Sequence, residues 1–147
     1  MNQAGQMGAT QQFLGKTVLV TGAASGIGRG AAVAFGRHGA NVVLADIAQE
    51  AGEVAAAQIR AEGGQAIFVR ADVADGHDVE ALVATAVREF GRLDCAFNNA
   101  GIEEEHERLA DSDEALFDRM MGINVKGVWL CMQHELRQML AQGGGTI

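Results

Sequence analysis

From Lys16 onward the chain alternates two kinds of segment, short runs rich in valine and leucine and longer amphipathic stretches rich in alanine, glutamate and arginine. That alternation is the βαβα pattern, and it leaves few folds open. "KTVLVTG" is almost continuously apolar, as a central parallel strand covered on both faces must be. "ASGIGRGAAVAFGRHGA" reads as a loop and then a helix ended by Gly39. The pattern next predicts a strand "NVVLAD", a helix from about Ala48 to Ala61, a turn "EGGQ", a strand "AIFVRAD", a helix from about His77 to Phe90 and a strand "LDCAFNNAG". An acidic, irregular segment follows Gly101 to about Asp111. A last long helix is expected from Asp113 toward Gln142, capped by Asp111 or Ser112. Leu116, Met120, Ile123, Val128, Cys131 and Leu136 are spaced on it to form one face packed on the sheet, with Trp129 and Met132 off that stripe.

Connections of this length force parallel strands with right-handed crossovers. The expected fold class is therefore α/β, a Rossmann-type doubly wound parallel sheet with ligands at the carboxyl ends of its strands. Four strands are present, and the closing "GTI" reads as the start of a fifth, so the sheet is expected to be incomplete within these residues. Residues 1–15 are expected to be a flexible lead-in, with one nucleotide-binding domain over 16–147, truncated before any segment that follows the fifth strand.

Composition narrows the partners. Hydrophobic residues make up 48% and charged residues 20% of the 147, a balance that excludes disorder. A net charge of −8 with no basic run argues against nucleic acid and anionic membranes, and no segment has the unbroken apolar length that spans a bilayer. Cys95 and Cys131 lie far apart without metal-ligand spacing, which points to two reduced thiols and a cytoplasmic protein. His38, His77, His106 and His134 are dispersed, so no metal site is expected.

The chemistry-bearing motif is "VTGAASGIGRG", which places Gly22, Gly26 and Gly28 between a predicted strand and a predicted helix. Missing side chains let backbone turn tightly and approach a pyrophosphate, while free N–H groups and the helix dipole hold its charge. Asp46 follows at close to the ~20-residue spacing of a carboxylate that accepts from both ribose hydroxyls of NAD. It would repel a 2′-phosphate, and neither Ser25 nor Ile47 is basic, so NAD is favoured over NADP. An ordinary tight turn and a solvated strand-end acid are the weaker alternatives.

Together, Thr21-Gly22-x-x-x-Gly26-x-Gly28, Asp72-Val73, Asn98-Asn99-Ala100-Gly101 and Asn124 within "INVKG" resemble the motifs of the short-chain dehydrogenases/reductases, in the right order from Lys16 to Ile147. The resemblance implies that Ser25, Gly26 and Ile27 lie along the pyrophosphate and Asp72 and Val73 beside the adenine. Asn99, Ala100 and Gly101 would then lie beside the adenine-side ribose and the sheet core. Ile47, next to Asp46, joins this set, and Asn124 would belong to a catalytic proton relay. Read from the residues alone, Asp72 or Asp75 could instead cap the next helix, "NNAG" could be a structural turn, and Asn124 a surface position. The resemblance also implies hydride transfer between the nicotinamide and an alcohol or ketone, a serine and a Tyr-x-x-x-Lys pair as acid/base machinery, and a homo-oligomer through the helix at about 113–141. The chain contains no tyrosine. It is therefore expected to bind cofactor without catalysing, its catalytic segment falling beyond Ile147. A stand-alone NAD-binding module, or an interaction protein docking through its last helix and an unpaired fourth strand, are the other readings.

Overall fold

In the computed structural model, which describes residues 11–103 and 106–147, β1 (Thr17–Thr21) is buried along its whole length. It is flanked in parallel by β2 (Asn41–Asp46) and by β4 (Cys95–Phe97), and β2 pairs in turn with β3 (Gln65–Arg70), giving the order β3-β2-β1-β4. Register is regular, with Val18 opposite Val42 and Cys95, and Val20 opposite Leu44 and Phe97. A strand's side chains alternate between faces, so β1 and β2 feed two cores. Val18, Val20, Val42 and Leu44 meet Ala32 and Val33 of α1 (Gly26–Arg37) and Ala55, Ala56 and Ile59 of α2 (Gln49–Ala61). On the other face, Leu19, Val43 and Ala45 meet Leu82, Val83 and Ala86 of α3 (Gly76–Phe90) and Met139 of α5 (Val128–Gln142). Each such Val or Leu contributes roughly 1.5–3 kcal/mol by leaving water. The sheet is doubly wound, as the sequence pattern requires.

The expected fifth strand begins where "GTI" places it. Thr146 forms a parallel bridge to Cys95, donating its N–H to Asp94 and accepting from Ala96, both at 2.9 Å. β4 therefore has the start of a neighbour on its outer side.

Three details differ from the expectation. The last helix is capped by Asp113, whose carboxylate accepts from Ala115 N, and not by Asp111 or Ser112; these close a short 3₁₀ turn, Leu109–Asp111. The helix is also interrupted, since α4 (Glu114–Met121) runs through a π-helical turn at Gly122–Gly127 before α5 begins. Leu136, expected on the packed face, is exposed, and its place is taken by Glu135 and Met139. At ~100° per residue Leu136 lies roughly 140° around the helix from buried Cys131, whereas Glu135 lies almost below it. Trp129 and Met132 are exposed as expected.

Residues 11–15, expected within a flexible lead-in, are instead pinned to the end of α1. Phe13 N donates to His38 O, Gly15 N donates to Gly39 O, and the Phe13 ring stands edge-on to Phe35 at 4.9 Å. The rest of that expected lead-in, residues 1–10, lies outside the described residues.

Gly36 lets α1 approach α2, because a Cβ there would sit 2.6 Å from Ile59 Cγ2. Gly36→Ala gains up to ~1 kcal/mol of helix propensity but overpacks a buried, β-branched neighbour by about 1–3 kcal/mol. We expect a net loss of about 1 kcal/mol in urea denaturation; an unchanged or raised midpoint would show that the two helices part freely.

Candidate functional site

The carboxyl ends of the strands open into a cleft of about 640 Å³. Its floor is the turn from β1 into α1. Gly22 and Gly26 take φ values of 65° and 51°, in the left-handed region that favours glycine. Gly28 is buried, and a Cβ there would run into the carbonyl of Gly22 and the side-chain amide of Asn99. Beside Gly26 nothing lies within 4 Å of where a Cβ would stand, and Ile27 is 77% exposed. Ser25 occupies the N-cap of α1 without a side-chain capping bond, and the first turn carries no acid. The helix thus presents uncapped N–H groups and its positive end to the cleft. These features suit an anionic pyrophosphate.

Asp46, at the end of β2, lines the same cleft. Its Oδ2 accepts from Ala24 N and its Oδ1 from Ala48 N, each at 3.0 Å. The carboxylate therefore ties the glycine turn to the start of α2. Each oxygen keeps a further lone pair for a ligand hydroxyl. Ile47 is 60% exposed at the mouth.

Asp72 and Val73, after β3, form the adjoining wall. Asp72 Oδ1 accepts from Ala74 N in a local turn, while the cap of α3 is Asp75, through His77 N. Of the two acids that could have capped that helix, Asp75 does so, and Asp72 stays at the cleft.

"NNAG" braces the floor from the β4 side. Asn99 Nδ2 donates to the carbonyls of Thr21 (3.1 Å) and Gly22 (3.4 Å), and Thr21 Oγ1 accepts from the backbone N–H of both Asn99 and Ala100. Ala100 and Gly101 line the cleft.

Asn124 lies in the π-helical turn, is exposed, and binds the backbone of Ile102 twice: Oδ1 accepts from Ile102 N and Nδ2 donates to Ile102 O, both at 2.8 Å. The side chain so fixes the chain leaving β4 against the helix. Of the expected cofactor residues, Gly22, Ser25, Gly26, Ile27, Asp46, Ile47, Asp72, Val73, Asn99, Ala100 and Gly101 line one cleft, and Gly28 sits beneath it.

Arg119, Ile102 and Ile123 also line the cleft and were not among the expected cofactor residues; Ile123 was expected only on the packed face of the last helix. Nor were Ala45 and Ala71, although their signal is legible in hindsight: β2 ends in Ala-Asp and β3 is followed by Ala-Asp, a small residue beside each cleft acid.

Residues 16–147 match the family model described as short chain dehydrogenase. The chain belongs to the short-chain dehydrogenase family. It is 45% identical over 135 residues to an uncharacterized oxidoreductase of Thermotoga maritima, covering 92% of this chain and 53% of that one. It is 46% identical over 129 residues to a 2,5-dichloro-2,5-cyclohexadiene-1,4-diol dehydrogenase of Sphingobium indicum, covering 88% and 50%. Its fold superimposes on NAD⁺-bound xylitol dehydrogenase with a TM-score of 0.88 at 36% identity, covering 91% and 52%. The chain thus spans about half the length of the short-chain dehydrogenases it matches. Membership, with NAD-bound structural neighbours, supports a nicotinamide cofactor. Among the described residues no helix is long and apolar enough to cross a membrane.

The crowding around Gly28 gives a test. Gly28→Ala should lower stability by about 3 kcal/mol, because the atoms it meets are backbone and a bonded amide that cannot swing away. Gly30→Ala, one turn position away with open space around it, should be neutral or stabilising by up to ~1 kcal/mol. Equal effects in chemical denaturation would contradict the close approach.

Proposed function

We propose that residues 16–147 are an NAD-binding domain serving hydride transfer between a nicotinamide and a small alcohol or ketone. The observation that carries the reading is Asp46, a carboxylate at the end of β2, held beside a glycine cradle and an uncapped helix start. In this reading the α1 N-terminus with Ser25, Gly26 and Ile27 holds the pyrophosphate, Asp46 and Ile47 the adenine-side ribose, Asp72 and Val73 the adenine, and Asn99 to Gly101 lie beside that same ribose and the sheet core. When bound, the nicotinamide would supply the hydride or take it up. Asn124 belongs to the proton relay: its side chain being held by Ile102, its contribution is to set the π-helical backbone against Ile102 of the cleft wall. The 147 residues include no tyrosine, so the Tyr-x-x-x-Lys acid/base of the family reading is not among them. Relatives named for a cyclic diol and for xylitol support a small polar alcohol as substrate. The free thiols Cys95 and Cys131 suit the cytoplasm.

NAD is preferred to NADP because the Asp46 charge would meet a 2′-phosphate. Hydrogen bonds to a charged group contribute roughly 1.5–3 kcal/mol, a ten- to hundredfold preference. Asp46→Asn, which keeps one acceptor for the backbone, should reduce the NAD-over-NADP affinity ratio at least tenfold in calorimetric titrations. Unchanged selectivity would remove the carboxylate as its source.

The partner of the last helix is a second copy of the chain. Phe117, Met121, Val125, Trp129, Met132, Leu136 and Leu140 form an exposed apolar stripe along α4, the π turn and α5. Stripes of this length on soluble proteins mark contact surfaces. Trp129→Glu should shift the protein to monomer in sedimentation velocity; an unaltered oligomer would place the interface elsewhere.

A further inference from the structure

Glu135, on α5, is 1% exposed. It accepts one hydrogen bond, from Asn98 Nδ2 to its Oε2 at 2.8 Å. Glu135 Oε1 and Asn98 Oδ1 are both buried and find no partner among the described residues. Two such acceptors have nothing to offer each other, but a single proton between them would satisfy both.

We propose that Glu135 is a neutral positioning residue whose carboxylic acid lies edge to edge with the Asn98 amide, Oε1–H donating to Asn98 Oδ1 while Asn98 Nδ2 donates to Oε2. The proton is the carboxyl's own, retained on folding, so no other group need supply one. An isolated carboxylate here would be buried against an apolar surface, a costly arrangement. Val79, Leu82, Val83 and Ala86 are the buried residues of α3, which packs on α5; on α5 itself Cys131 lies one turn before Glu135, and His134 and Arg137 are the flanking titratable side chains. From the β4 side comes the neutral Asn98. Burial pushes the Glu135 carboxyl up to about 7, with the Asn98 bond pulling the other way, and burial followed by the Glu135 charge pushes the Cys131 thiol up to about 12.

The pair acts at a distance from the cleft. Asn98 precedes Asn99, whose amide holds the carbonyls of Thr21 and Gly22. A locked Asn98 fixes the direction in which the chain leaves β4, and hence the brace on the glycine turn. This consequence for the cofactor rests on the function proposed above; the pair itself does not.

The folded carboxyl is raised above its ordinary 4.5, so its stabilising effect is complete below that value and is lost as pH rises through about 7. Glu135→Gln is the permanent neutral mimic, since its amide can donate to Asn98 Oδ1 and accept from Asn98 Nδ2 at any pH. Three readouts on the protein and this variant test the proposal. Near pH 6 the infrared spectrum of the protein should contain the C=O stretch of a protonated carboxyl that the variant lacks. The variant's melting temperature should match the protein's near pH 5 and exceed it increasingly toward about pH 8. NADH affinity should be equal for the two at the acid end and, at the alkaline end, several-fold higher for the variant. Absence of the infrared band, or a variant that is less stable and binds NADH more weakly at every pH, would overturn the proposal by showing that the charged form is the one used. If the variant fails to fold, the band in the unmodified protein, followed against pH, decides alone. Failure of NADH to bind either protein would count against the cofactor reading, with the infrared and melting results still reporting on the pair.

Discussion

Much of this molecule depends on one place where a side chain cannot fit. Gly28 brings the first turn of α1 so close to Gly22 that the backbone carbonyl of one residue fills the space beside the other. The Asn99 amide enters the same gap, and Thr21 Oγ1 gathers two further N–H groups beside it. The end of β1, the start of α1 and the exit from β4 are thus fastened at one point. Because the contacts are made by backbone atoms and a short amide, the point is rigid, and the cleft above it takes its shape from that rigidity.

The electrostatics of the cleft divide between carboxylates and a helix end. The chain carries a net charge of −8, and two acids, Asp46 and Asp72, stand on the walls. Attraction for phosphate comes from the backbone at the start of α1, whose N–H groups lack a side-chain cap. The division is spatial. In the proposed reading, the carboxylates serve sugar hydroxyls and a ring amine, and the helix end serves the negative charge. Asp46 serves both halves, holding Ala24 and Ala48 with one lone pair of each oxygen while facing the cleft.

Most of the fold and most of the cleft were legible in the sequence because both depend on local patterns. Continuous apolar runs gave the buried strands, and glycines with an acid at a set spacing gave the turn and the carboxylate beside it in the cleft. What was not legible arises from register and from long-range meeting. Leu136 was expected inside because a leucine outranks a glutamate as a core candidate on any scale, although five residues of regular helix turn it away from the face of Cys131. Glu135 was overlooked for the same reason. Its burial follows from its angular position below Cys131, and its partner Asn98 arrives from 37 residues away. The cap at Asp113, one or two residues from the expected ones, shows the ordinary imprecision of choosing among neighbouring Asp and Ser residues.

The brace between Thr21 and the Asn99–Ala100 segment joins residues 78 and 79 positions apart. β1, β2 and β3 can assemble through neighbouring crossovers, but this contact closes a loop over more than half the chain and needs β4 already docked. Contacts of such separation cost the most chain entropy and are rewarded late in assembly. The cleft is therefore complete only when β4 is docked, and its brace is lost when β4 loosens. A ligand spanning the glycine turn and the β4 exit would act as a clasp on that closing step, slowing the opening of the sheet's edge without touching its core.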